Sequence, residues 1–173
     1  MNRARLAVVF LLMLAACGDR TERPPLSQPL LAALAQARSY HHLADLHLAN
    51  GAPERAVEAL ERLLAVPFPA GAPEGEDALL DARARLAKLH LAQGRPDVAR
   101  RVVDEGLAGT PRESFFLANL YSVSGELAEA RAHTLDAVDP DAARAERRAA
   151  IVAHERSIQI NERIQRRLTE ERQ

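Results

Sequence analysis

HLADLHLANG (residues 42–51), RLAKLHLAQG (85–94) and FLANLYSVSG (116–125) decide the fold of this 173-residue chain. Aligned on their glycines, they agree at several offsets. Eight residues before the glycine stands Leu43, Leu86 or Leu117; seven before, Ala44, Ala87 or Ala118; four before, His47, His90 or Tyr121; five after, Ala56, Ala99 or Ala130. One such match could be chance in an Ala/Leu-rich chain, but agreement at several offsets in all three copies reads as an internal repeat. Each copy reads as helix, glycine turn, helix. Leu43, Leu46 or His47, and Asn50 recur at helical spacing, as do Leu86, Leu89 or His90, and Gln93. Gly51, Gly94 and Gly125 suit the positive φ that follows a helix end. Ala44, Ala87 and Ala118 are small enough to let two helices approach closely.

Working outward, the remaining helices fall into place. A first helix starts at Ser27 or Gln28 and runs to Asn50, and a second spans Pro53 to Val66. Pro53–Glu54 and Pro96–Asp97 put proline in a first turn and an acid at the helix's positive end. Asp77–Gln93 and Pro96–Ala108 form the next pair, after an inserted loop at Phe68–Gly75. Thr110–Pro111–Arg112–Glu113 combines an N-cap, an N1 proline and a capping-box acid. It opens a helix to Val123, paired with Glu126–Ala137. Asp139–Pro140 opens a last helix to about Glu170. Ala150, Ala153, Ser157, Ile160, Ile164 and Leu168 form a stripe on it, widened by Ile151 and Ile158. This helix is expected to cap the stack, with dimerisation or partner docking as the alternative. The chain has no Trp, two Tyr and four Phe, and its 47% apolar content is mostly Ala and Leu, so a large β-sheet is disfavoured. The fold class is therefore all-α.

The glycine-centred pattern resembles the tetratricopeptide repeat. Pro111 stands seventeen residues after Gly94, where that family's closing proline belongs; Pro67 comes one residue early and Pro140 two. The glycines are 43 and 31 residues apart, against a family period of about 34. The family's frequent Trp falls on Tyr40, Arg83 and Ser114. The resemblance covers roughly Arg38 to Pro140. It implies a short right-handed superhelix of about three stacked hairpins over residues 30–140, with residues 141–173 as a capping or docking helix. It also implies a concave face, built by the first helix of each pair, that binds protein or peptide. Asp45, Asn50, Arg85, Lys88, Asn119 and Ser122 are the polar candidates there.

The N-terminus reads as an address. Met1–Arg5 is basic, and Leu6–Ala16 is an uncharged, mostly apolar run. Eleven residues are too few for an ordinary transmembrane helix, which needs about twenty. They suit a secretory leader. Leu14–Ala15–Ala16–Cys17–Gly18 resembles the bacterial lipobox. That resemblance implies cleavage after residue 16, acylation of Cys17 and tethering to the bilayer. Two or three acyl chains hold where one is marginal. Gly18 after the cysteine points to the periplasmic face of the outer membrane. Residues 17–29, with Pro24, Pro25 and Pro29, read as a tether. Cys17 is the only cysteine, so no intramolecular disulfide forms.

Chemistry-bearing patterns are sparse. Of the six histidines, His41 shares a helix face with Asp45, whereas His42 and His47 do not pair at ligand spacing. His47 and His90 sit where the third copy has Tyr121, a packing position, though a polar pocket around them would suit a small-molecule or peptidoglycan-associated binder. His133 and His154 are isolated. Glu74, Glu76, Asp77 and Asp81 read as a solvated helix-start cluster. Ser114, Ser122 and Ser124 lie in no nucleophile elbow, and no phosphate or dinucleotide fingerprint is present. The expectation is a protein without enzymatic activity, cofactor or bound metal. Net charge −1 disfavours nucleic acid. Arg144, Arg147, Arg148, Arg156, Arg163, Arg166 and Arg167 make the final helix mainly basic. The expected role is a membrane-tethered adaptor for another envelope protein or peptide. The alternative is an assembly factor that forms a homodimer through the last helix. The adaptor inference requires the three glycine segments to be equivalent bends.

Overall fold

A computed structural model describes residues 26–109 and 112–172. The leader, Cys17, most of the tether and the Thr110–Pro111 cap lie outside the described residues. Among those described, every regular element is an α-helix: α1 Gln28–Ala49, α2 Pro53–Leu64, α3 Pro73–Ala92, α4 Pro96–Leu107, α5 Phe115–Leu135 and α6 Pro140–Glu170. None is long and apolar enough to cross a membrane. The helix starts follow from local chemistry. Proline occupies the first turn of every helix except α5, where its missing N–H and fixed φ cost nothing. Ser27, Ser114 and Asp139 cap α1, α5 and α6 by accepting from the N–H of Leu30, Leu117 and Ala142.

The first two glycine turns are the same object. Gly51 and Gly94 have φ of +68° and +71°. Gly51 N–H donates to Leu48 and Gly94 N–H to Leu91, both at 3.0 Å. The next residues, Ala52 and Arg95, donate back to His47 and His90 at 2.8 and 2.9 Å. This double bond pattern satisfies the last carbonyls of α1 and α3 and reverses the chain into α2 and α4.

The third glycine segment does not bend. Gly125 lies in the interior of α5, and no helix begins at Glu126. The expected hairpin of residues 112–123 and 126–137 is instead one helix of 21 residues. Its start is Phe115, since Ser114 rather than an earlier residue supplies the cap. The hairpin forms later, where Val138 and Asp139 N–H both bond Leu135 O, and α6 returns along α5. Two smaller departures concern starts. Helix α3 begins at Pro73, four residues before the expected Asp77, so the inserted loop is shorter. Helix α1 already includes Gln28 and Pro29 of the expected tether.

The helices pack as three antiparallel pairs, α1 with α2, α3 with α4, and α5 with α6. Helices α1, α3 and α5 also stand side by side, while α2 packs on α3 and α4 on α5. The core lies between these layers. Ala44, Ala56, Leu60 and Leu86 meet at the first junction, and Leu80, Ala87, Val103, Leu120, Leu127 and Ile160 at the second. Ala44, Ala87 and Ala118 are all at most 1% exposed, where a larger side chain would push the helices apart. Burying a side chain such as Leu60, 0% exposed, contributes roughly 2–3 kcal/mol. Six expected packing positions differ. Leu43 is 36% exposed, His47 and Ala130 are half-buried, and on α6 Leu168, Ile151 and Ile158 face solvent.

Candidate functional site

The face shared by α1, α3 and α5 is the candidate site, and cross-helix pairs hold it together. Arg85 on α3 sits at its centre. It donates to Asp45 and, at 2.7 Å, to His41 Nδ1, both on α1. A guanidinium only donates, so His41 Nδ1 accepts and its proton rests on Nε2. That nitrogen lies 3.4 Å from Asp81 Oδ2. Burial, more than the opposing charge of Asp81, holds His41 below its ordinary pKa, and Arg85 adds to the lowering. One step along, Lys88 Nζ donates to Glu126 Oε1 on α5 at 3.0 Å. At the near end Arg112 donates to Asp77 Oδ2 at 2.7 Å.

Beside this lattice runs an open groove of about 440 Å³. Leu34 and Ala37 from α1, Ala78 from α3 and Phe116 from α5 give it apolar walls. Arg38 and His41 face Glu74, Asp77 and Asp81 across it. Phe116 is 40% exposed. A neighbouring cleft of about 350 Å³ shares Asp77 and Phe116 and continues to Arg167 and Leu168 on α6. Together they make a solvent-open channel with apolar patches and charges of both signs, acidic in excess on the α3 side.

The six expected polar residues are dispersed differently than their sequence equivalence suggests. Asp45 and Arg85 pair with each other, and Lys88 pairs with Glu126. Asn119 is exposed and Ser122 half-buried on α5. Asn50 terminates α1 at its exposed end. The residues that line the groove, Arg38, His41, Glu74, Asp77, Asp81 and Phe116, were not among the candidates. Asp77 and Asp81, expected as solvated charges, are instead partnered across helices. The signal existed for one of them: His41 and Asp45 at i,i+4 face the same neighbour, which turned out to be Arg85. The other contacts join residues about 35 to 45 positions apart, which helical periodicity cannot relate.

His90 is packed shut at 4% exposure, and burial is the main cause of its lowered pKa. It offers no open pocket with half-buried His47. No group of three His, Cys, Asp or Glu side chains converges for a metal among the described residues. At the same end, beside Arg112, Glu113 receives a two-pronged bond from Arg163 at 2.7–3.1 Å, with Arg156 and Arg167 at 3.7 and 3.6 Å. The Arg163 bond leads in holding the Glu113 carboxyl below its usual range. Arg156 also lies 6.0 Å from the Tyr121 ring centroid. Comparison with family models, with curated proteins and with solved structures finds no match.

Proposed function

We propose that this chain is a membrane-tethered interaction scaffold of the bacterial cell envelope. On this reading the leader exports it, acylated Cys17 anchors it facing the periplasm, most simply at the outer membrane, and it performs no catalytic step. The groove across α1, α3 and α5 takes an extended segment of another envelope protein. The observation that carries the reading is that groove: three helices from three successive pairs line one open channel, with apolar walls and paired charges. Such a surface suits side chains spaced along an extended chain more than one compact ligand. The acidic α3 wall favours a segment carrying a basic side chain beside an apolar one.

The resemblance to tetratricopeptide repeats supports this reading through two copies rather than three. The Gly51 and Gly94 turns match bond for bond, and the third pair reaches its place by another route. The requirement for three equivalent bends fails at Gly125, so the proposal rests on the groove itself. Its test is a photo-crosslinking side chain installed in place of Phe116 in the full-length chain, irradiated in intact envelopes. A single recurrent protein adduct, lost on adding Asp81→Arg and absent when the probe replaces Gln159 on the outer side of α6, is expected. No adduct from the groove at native abundance overturns it. The anchor is read separately. Labelled palmitate should enter the chain and be lost with Cys17→Ser.

A further inference from the structure

The outer face of α1 carries a pattern with no role in the groove. Leu43 and Leu46 are 36% and 47% exposed. Their counterparts in the later pairs are covered by the preceding pair. Leu86 is 2%, Leu117 4% and Leu120 0% exposed, and Leu89 is half-buried against α2 residues. The first pair has the same docking leucines and no preceding pair among the described residues. The face around them is uncharged. In the 22 residues of α1 the only Asp, Glu, Lys or Arg side chains are Arg38 and Asp45, and both belong to the groove side.

The exposed stripe is also palindromic. Gln28, Ala32, Ala35, Ser39, Leu43, Leu46 and Asn50 are spaced 4, 3, 4, 4, 3 and 4 residues apart, all exposed and all on one side of the helix. An antiparallel helix pair related by a two-fold axis at Ser39 brings residue 39+k of one copy opposite residue 39−k of the other. Leu43 then meets Ala35, and Leu46 meets Ala32. The terminal amides of Gln28 and Asn50 face each other. Each large side chain finds a small one, which is the self-complementarity a two-fold interface requires. Ser39 on the axis already donates to Ala35 O at 3.0 Å. It can therefore be covered without stranding its hydroxyl, and small side chains there allow helix axes within about 8 Å.

We propose that a second copy of this chain docks on this face, giving a two-fold dimer through α1. The competing surface is α6, where Ile151 and Ile158 are 58% and 57% exposed. A two-fold axis between those isoleucines sets Glu155 beside its own symmetry mate, with Arg144, Arg148 and Glu162 around it. The α1 face brings no like charges together. This inference does not depend on what the groove binds.

The test uses the full chain in detergent extract with its own Cys17 kept. Ser39→Cys should give a disulfide-linked dimer on mild oxidation, about tenfold above the parent chain, because close antiparallel helices bring residue 39 of both copies within bridging range. Leu46→Glu, at an exposed site that leaves circular dichroism unchanged, should weaken association about 100-fold, since each dimer would cover two carboxylates. Ile151→Glu should leave the mass unchanged in sedimentation. A parent chain that sediments as a monomer at high micromolar concentration overturns the proposal. So does a dimer lost with Ile151→Glu and kept with Leu46→Glu. Shielding of the Ser39→Cys thiol from maleimide in a monomer would show residues 1–25 covering the face. Vesicles of phosphatidylethanolamine and phosphatidylglycerol that bind the parent monomer but not Leu46→Glu would show a lipid surface there. Either result overturns it too.

Discussion

Gly125→Ala separates two reasons for a glycine. At Gly51 and Gly94 the reason is backbone conformation: φ is near +70° and an added Cβ would touch nothing within 4 Å. Alanine there costs about 1–2 kcal/mol whatever surrounds it. At Gly125 the backbone is helical, and alanine would gain about 1 kcal/mol of helix propensity. Against that gain stands His154 of α6. A Cβ at 125 would lie 2.5 Å from its Nε2, 2.6 Å from Cε1 and 2.7 Å from Cδ2. The ring must leave, taking with it the 3.0 Å bond it donates to Glu129 Oε1. Overpacking of this kind costs roughly 1–3 kcal/mol. The imidazole is 35% exposed and can swing out, which favours the lower end. Gly125→Ala should therefore destabilise by about 0–2 kcal/mol net.

The sign in a second background is decisive. With His154→Ala the obstacle is gone, and Gly125→Ala should stabilise by about 1 kcal/mol. The coupling between the two sites is then about 1–3 kcal/mol. Urea unfolding followed by far-UV circular dichroism, run on the four chains of the cycle, resolves it. Gly94→Ala supplies the contrast: it should lose the same stability with or without His154. An equal loss from Gly125→Ala in both backgrounds would refute the close-contact account and restore the turn.

Three further expectations follow from the packing and the charges. His90 is buried in neutral form with its pKa lowered, so the unfolded chain binds more protons; stability should fall as pH drops through the unfolded value of about 6.5 toward 5. His90→Gln should flatten that slope in urea titrations, leaving the share contributed by His41, whose pKa is also lowered. Glu113→Gln removes the negative charge that three arginines of α6 surround and one of the two oxygens that accept from Arg163, so hydrogen exchange from Arg156 onward should quicken while α1 and α2 are unaffected. In the parent chain the same loosening should appear as pH falls below the ordinary carboxylate range, because a depressed acid pKa contributes stability only above it. Leu60→Ala should cost roughly 2–5 kcal/mol by denaturant midpoint, since the side chain is fully enclosed and α2 is held on both sides.

Most of the helix boundaries were legible because their signals are local. Proline two residues after Gly51 and Gly94 stops one helix and starts the next, and the glycine need only supply the positive φ between. The third copy lacks that proline. Gly125 is followed by Glu126, Leu127, Ala128, Glu129 and Ala130, all good helix formers. One glycine costs only about 1 kcal/mol in a helix interior, too little to break α5 against the burial of Leu127, Ala128 and Ala132. The three glycines looked equivalent because the residues before them are, but the residues after them decide. The groove was less legible. Arg85, Asp45 and Lys88 could be placed on the right face by repeat position, whereas Asp77, Asp81 and Phe116 reach it only through the way successive pairs stack, and Glu74 joins them through the early start of α3 at Pro73.

The straightened third segment also explains why the two ends of the array differ. A third pair built like the first two would leave α5 near Gly125 and end in a short second helix, with its outer face as open as that of α1. Running α5 on to Leu135 and returning through the 31 residues of α6 covers Leu120, Val123 and Leu127 along their whole length. Charge then fastens the cover from both ends. Glu113 gathers Arg156, Arg163 and Arg167 at one end. At the other, Glu146 accepts from Arg100 and Arg131 at 2.9 and 3.0 Å, and Arg131 reaches Asp97 at 2.7 Å. These partly exposed pairs are individually weak, but they share members and so lose less side-chain entropy per bond than isolated ones. No such cover lies over α1 among the described residues. Terminal repeats need a capped outer face to stay soluble, so the chemistry that closes the α6 end is the reason to look for a partner at the α1 end. A dimer through α1 would supply it, and its loss with Leu46→Glu should lower the unfolding midpoint of the whole array, not merely change its mass.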